Sequence, residues 1–212
     1  YSLGWKTHPL QKRAVIESLQ DSGFNVLTMP LVESHDKIGT MEENITRMES
    51  SIFNEQSIVH SLKQENAPLF VLTHSTSATV FETAQMNAKS EDPYGLPDID
   101  FVVHTNPFIN ARGVSNELNP ILSRIYSWHA KRHSNEHAGI PLMDRAFYYV
   151  QGLTEQLINE DPRGRPTHGQ VLEIAEYGNK LLESRHFAEL NDPPVAVFVS
   201  TNDDFACPKV AE

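Results

Sequence analysis

The sequence predicts an α/β protein built on a doubly wound, mostly parallel sheet. Two observations carry this. In the first half, short apolar runs alternate with helical patterns, the order expected of strands joined by crossover helices. In the second half, about eighty residues carry helical patterns only, and one further apolar run follows them. A helical block between two strands of one sheet reads as a crossover plus an inserted cap. The expected organisation is a first core segment over 1–112, a helical cap and crossover over 113–191, and a closing strand and loop over 192–212.

Taken in order, Leu10, Ala14, Val15 and Leu19 lie at helical spacing between Leu10 and Gln20, and Gly23 stops that helix. Phe24 to Met29 reads as a strand closed by Pro30. Ile45, Met48, Ile52, Ile58 and Leu62 mark one face of a long helix from Met41 to Gln64. Pro68 to Thr73 is a continuous apolar run, the pattern of a strand buried on both faces. A helix follows over Thr76 to Lys89, and Ile99 to His104 is the next strand. Three helices are expected in the block, at Glu117 to His133, Met143 to Asn159 and His168 to Leu190, with a Pro/Gly/Arg break at Asp161 to Pro166. Pro194 to Val199 restores the buried-strand pattern.

Composition narrows the function classes. With 17 Lys+Arg against 28 Asp+Glu the formal charge is −11, and no basic stripe offsets it. Such a chain is a poor partner for phosphate backbones or anionic lipid, so a nucleic acid is not expected as ligand. No stretch approaches eighteen uncharged apolar residues, so no transmembrane helix is expected. Cys207 is the single cysteine, which excludes an internal disulfide framework and a cysteine-rich zinc module. It permits a reducing compartment, and a cytoplasmic location is the expectation. There is no G-x-G-x-x-G and no G-x-x-x-x-G-K-[ST], so nucleotide-dependent redox and phosphoryl transfer are disfavoured.

The sharpest motif is Leu72-Thr73-His74-Ser75-Thr76-Ser77-Ala78, at the end of an apolar run and just before a helix. A serine at a tight strand-to-helix turn has its hydroxyl held clear of the backbone. The next amide, Thr76, then points from a helix N-terminus toward any oxyanion formed there. In the pattern G-x-S-x-G the flanking glycines let strand and helix approach; here Thr73 and Ser77 take their places. Ser75 or Ser77 as an ordinary helix cap is the competing reading. An acid after a later parallel strand would orient an imidazole, and Asp203 and Asp204 follow the last apolar run. An Asx turn is the alternative there, and physics alone does not rank the two acids.

In five segments, in order across nearly the whole chain, the sequence resembles the α/β-hydrolases of the serine aminopeptidase and lysophospholipase-like (monoglyceride-lipase-like) group. Leu3-Gly4-Trp5 resembles the His-Gly-x oxyanion segment, with Leu3 where His is usual. Gly23-Phe24-Asn25-Val26 through Pro30 to Asp36 resembles the stretch that ends D-x-R-G-H-G, keeping His35 without the two glycines. Thr73 to Ser77 resembles the nucleophile elbow, and His104 to Phe108 the x-S-P-F segment. Asn202 to Pro208 resembles x-D-x-V-V-x-P, which favours Asp203 over Asp204 as the acid. The resemblance implies Ser75 as nucleophile, the Thr76 and Trp5 amides as oxyanion donors and Asp203 as orienting acid. It implies a lid over 113–191, with Ile121, Leu122, Ile125, Tyr126, Trp128, Phe147, Tyr148 and Tyr149 lining an acyl groove or simply packing the cap.

The chemistry also needs an imidazole, and no His follows Asp204. The chain opens at Tyr1-Ser2-Leu3-Gly4 without an initiator Met, and the reading expects it to be truncated at both ends. His74, His35 and His104 lie near strand ends but are poor substitutes. His129, His133 and His137, spaced by four beside Glu136, could bind a metal, though the segment reads as a solvated helix end. Glu42/Glu43 reads as solvated charge. The expected function is acyl transfer on a small carboxylic ester or lipid, with no cofactor and no metal. A peptidase using the same residues and a non-catalytic binding protein are the alternatives.

Overall fold

The computed structural model describes residues 1–3, 12–31, 39–62, 67–91, 97–108, 120–136, 167–184 and 193–199. Among the described residues five strands run in the order β1 (Ser2–Leu3), β2 (Met29–Pro30), β3 (Phe70–His74), β4 (Phe101–Thr105) and β5 (Val195–Phe198). Between them lie α1 (Arg13–Asp21), α2 (Met41–Met48), a π-helical turn (Glu49–Phe53), α3 (Ile58–Leu62), α4 (Ser77–Glu91), α5 (Pro120–Arg132) and α6 (His168–Ser184). All four strand pairs are parallel, and the spatial order is β2-β1-β3-β4-β5.

That order fixes where a site can form. The chain goes from β1 outward to β2, then returns past β1 to build β3, β4 and β5 in the other direction. Right-handed crossovers made in opposite directions put their helices on opposite faces, so α1 falls on one face and α2, α4 and α6 on the other. The reversal lies between β1 and β3, and the crevice at the carboxyl ends of strands on either side of such a reversal is the standard ligand position.

The core lies on the α2/α4/α6 face. Met41, Ile45, Met48, Ile52, Phe53, Val71, Val80, Phe81, Ala84, Val102 and Ile174 form one buried cluster. Val71 and Thr73 on β3, with Val102 and His104 on β4, point into it, while Leu72, His74, Val103 and Thr105 alternate to the thinner face. None of the α1 residues is buried.

Local chemistry sets the helix ends. Gly23, at φ 90°, closes α1 as expected: its N–H donates to Gln20 O at 2.9 Å and the Phe24 N–H to Leu19 O at 3.1 Å. At α2, the Thr40 hydroxyl accepts from the Glu43 N–H at 3.1 Å, and the Glu43 carboxylate accepts from the Thr40 N–H at 2.8 Å. Glu43 is thus a capping-box residue rather than idle surface charge. From α6, the Glu173 carboxylate accepts from the Met41 N–H at 3.2 Å. Burial pushes the Glu173 carboxyl up, against the pull of that backbone bond. Thr40→Ala should cost about 1 kcal/mol, read as a lower urea midpoint at unchanged slope.

Several expectations need correction. The strand at Phe24 to Met29 reduces to Met29–Pro30, which pair with Ser2 and Leu3. Pro30 lies within it, and among the described residues β2 is an edge strand, where proline is tolerated. The long helix from Met41 to Gln64 is broken: the π-helical turn ends at Asn54, which is extended at ψ 141°, and α3 starts afresh. Ser57 starts it, its hydroxyl accepting from the His60 N–H at 3.0 Å. β3 and β5 are not buried on both faces, since Phe70 is 48% exposed and Phe198 is 62% exposed. β5 is at the sheet edge among the described residues, which leaves Val195 and Val197 open as well. The helix at Met143 to Asn159, the break at Asp161 to Pro166 and residues 185–190 lie outside the described residues.

Candidate active site

Ser75 stands one residue past the end of β3, and α4 begins two residues later, at Ser77. Its φ is 56°, the left-handed region that non-glycine residues rarely enter. The surrounding backbone holds it there. Its N–H donates to Thr105 O at 3.1 Å, and its carbonyl accepts from Ala78 N and Phe108 N, both at 3.1 Å. The Thr79 hydroxyl donates in turn to Phe108 O at 2.6 Å, so the segment after β4 is clasped onto the first turn of α4.

The capping alternative resolves onto Ser77. The Ser77 hydroxyl accepts from the His74 N–H at 2.9 Å and donates to His74 O at 2.8 Å, closing the turn on itself. Among the described residues, nothing bonds the Ser75 hydroxyl and nothing accepts the Thr76 N–H. A strained serine whose hydroxyl is not used locally, followed by an unengaged amide at a helix start, is the arrangement a nucleophile and its oxyanion donor require.

The strand ends bring further segments to this edge. β1 pairs with β3 at Ser2↔Thr73, so the chain leaves Leu3 beside the turn that carries Ser75. β4 is followed by Asn106, also left-handed at φ 45°, whose N–H donates to Phe198 O at 2.7 Å. β5 therefore ends on the same edge, five residues before Asp203. Trp5, His35, Asp203 and Asp204 themselves lie outside the described residues.

The histidines near the turn are committed elsewhere. Thr105 Oγ1 donates to Thr73 O at 2.9 Å, so at 3.1 Å it accepts from His74 Nδ1, which carries the ring proton. His104 is not at an open strand end: it is 2% exposed, with Nδ1 2.6 Å from Thr73 Oγ1 and Nε2 2.7 Å from Glu82 Oε1. Sequence reasoning passed over Glu82, because a lone acid in a helical pattern reads as solvent-facing. It is 3% exposed.

A second cluster joins α5 to α6. The His129 and His133 rings stack at 4.5 Å, and His168 meets His129 edge-on at 4.9 Å. Tyr126 Oη lies 3.2 Å from His168 Nδ1, and His133 Nδ1 donates to Glu136 Oε1 at 2.7 Å. His168 thus joins the pair expected from spacing, while His137 lies outside the described residues. Among the described residues no three His, Cys, Asp or Glu side chains are placed to hold a metal ion. Ile121, Ile125 and Trp128 form an exposed apolar stripe along α5, with the Arg132 guanidinium 4.2 Å above the Trp128 ring. Phe147, Tyr148 and Tyr149 are outside the described residues.

This cluster gives a pH dependence with a definite sign. Burial, and then the neighbouring His129, lower the His168 pKa below its ordinary 6.5. As pH falls through that value the unfolded chain takes up the proton first, so stability is present above it and lost below. Glu136, held below the usual carboxylate range mainly by its bond from His133, acts only at lower pH. The melting temperature should fall from pH 7.5 to 5.5, and His168→Gln should flatten that fall. Equal slopes in both proteins would refute the assignment.

No described helix is long and apolar enough to cross a membrane. No protein-family model and no curated protein matches the sequence. Among solved structures, a soluble variant of monoglyceride lipase from Saccharomyces cerevisiae, in complex with a substrate analogue, is similar at a TM-score of 0.66 and 15% identity. The match covers 99% of this chain and 71% of that one. At such identity the likeness concerns architecture alone, and it agrees with the parallel sheet and its single reversal. The chain has the fold of an α/β-hydrolase.

Proposed function

We propose that this protein is a serine hydrolase that cleaves a carboxylic ester with an apolar acyl chain, as lipases and lysophospholipases do. The observation that carries the reading is Ser75 at φ 56°, between a parallel strand and a helix, with no described partner for its hydroxyl. In the reaction, Ser75 Oγ attacks the ester carbonyl and gives up its proton to an imidazole base. The oxyanion forms beside the amides of Thr76 and Trp5. The alcohol leaves with the proton, and water then releases the acid from the acyl-enzyme. Asp203, or Asp204 in its place, orients the imidazole from the edge where β5 ends. Residues 113–191 form the lid, and the apolar stripe of α5 offers acyl contacts. No step calls for a cofactor or metal.

The similarity in fold to a monoglyceride lipase supports the ester reading, while a peptidase would use the same fold and residues. One observation favours a second reading, a non-catalytic binding protein: no described histidine is bonded to the Ser75 hydroxyl. A fluorophosphonate probe on the full-length protein separates the two. Labelling of Ser75, abolished in Ser75→Ala, supports the hydrolase; a folded, full-length sample that takes no label sinks it. Matched ester and amide substrates then separate esterase from peptidase.

A further inference from the structure

We propose that Glu82 and His104 are positioning residues for the turn that carries Ser75, acting on it through Thr73. The proposal rests on Ser75 being the reactive group. Thr73 occupies the position where the elbow pattern has glycine, and its side chain is 0% exposed. A hydroxyl buried there needs a partner, since an unsatisfied one is costly. The partner is His104, directly across the β3–β4 register, and the partner of His104 is Glu82, seven residues beyond Ser75 on α4.

The three side chains therefore sit on the three elements that meet at the turn. Thr73 is on the strand that enters it, His104 on the adjacent strand, and Glu82 on the helix that leaves it. One protonation pattern satisfies all of them with Glu82 ionised and His104 neutral. His104 Nε2–H donates to Glu82, and Nδ1 accepts the Thr73 hydroxyl proton. Hydrogen bonds constrain direction, and apolar contacts do not. Phe81 and Phe53 fill space on the same face, with ring centroids 5.7 Å apart, but they do not dictate the angle at which α4 departs. A left-handed serine persists only where its surroundings over-determine it, and this chain supplies a directional link between the two arms of the turn.

The test replaces the whole network by apolar groups of similar volume, Thr73→Val with Glu82→Met and His104→Leu, in the full-length protein. Such replacements commonly keep or raise stability, because the buried polar partners are removed together. The triple variant is expected to melt no lower than the parent, yet exchange of the hydrogen-bonded Ser75 and Ala78 amides should quicken about tenfold or more. On a p-nitrophenyl ester, kcat should fall about tenfold or more, with KM within about twofold. Glu82→Gln keeps an acceptor for Nε2–H and should stay close to the parent in both readouts. Should the triple variant not fold, Thr73→Val alone, which breaks only the first bond, should show the same changes several-fold smaller. Unchanged exchange in the folded variant, or quickened exchange with unaltered kcat, overturns the proposal. A parent protein that neither labels nor turns over refutes the hydrolase reading instead, and the exchange measurement then decides positioning by itself.

Discussion

Ser75→Gly and Ser75→Ala should each lower ester hydrolysis by about 10³-fold or more, with the glycine variant the more stable of the two. The first effect follows from removing the attacking oxygen, after which only oxyanion stabilisation and binding remain. The second follows from the backbone. At φ 56° a side chain crowds its own carbonyl, a strain of about 1–2 kcal/mol that glycine does not feel. Glycine gives back part of that gain through the larger entropy of its unfolded chain. The expected difference between the two variants is therefore about 1 kcal/mol in favour of glycine, measured by urea unfolding. Were alanine the more stable, the turn would not hold Ser75 in a strained form, and the structural basis for its reactivity would be gone.

Phe81→Ala should be the most damaging single truncation on the α4 face, costing about 3–5 kcal/mol. Phe81 is 0% exposed and packs between the Phe53 ring at 5.7 Å and the edge of His104 at 6.4 Å. The cavity would open where the sheet, α4 and the π-helical turn meet, which gives the surroundings little freedom to collapse. Against a typical total of about 5–15 kcal/mol, such a loss brings the fold close to its limit. Phe70→Ala is the matched control. That ring is 48% exposed and contacts Phe24 edge-on at 5.7 Å, so its loss should cost about 1 kcal/mol or less. A similar cost at both positions would show that the core does not lie where the burial pattern puts it.

The sequence disclosed the described strands from β3 onward, and α4, α5 and α6, well, because each carries a clear apolar pattern. α4 begins one residue after its expected start, and β5 lies inside the run read as a strand. The long helix from Met41 failed for a reason visible in its phase. The π-helical turn ends at an extended Asn54 and α3 starts a new helix, so the apolar period does not carry across the break. Ile58 and Leu62, read as core, are 52% and 62% exposed, and Val59 packs against the core instead. The strand at Phe24 appears only at its end, since strand character needs a partner and Met29 and Pro30 are the residues that pair with β1. At the site, the turn around Ser75 was legible because serine among small residues before a helix has few other uses. The Thr73–His104–Glu82 network was not, since register across β3 and β4 is a property of the sheet and leaves no local trace in the sequence.

The strand order has a consequence for when the site comes into being. Ser2 pairs with Thr73, Val102 pairs with Val195, and the Met41 amide meets Glu173 from 132 positions away. Each of these closures spends chain entropy before contact returns it, so a topology of this kind folds slowly. Ser75 is held in place by Thr105 and Phe108, whose segment is anchored to β5 through Asn106 and Phe198. Its left-handed geometry is thus installed only after the most distant strands have met. Attack by a serine-directed reagent during refolding should lag behind the recovery of secondary structure, and reactivity at Ser75 would serve as a clock for the last step of folding.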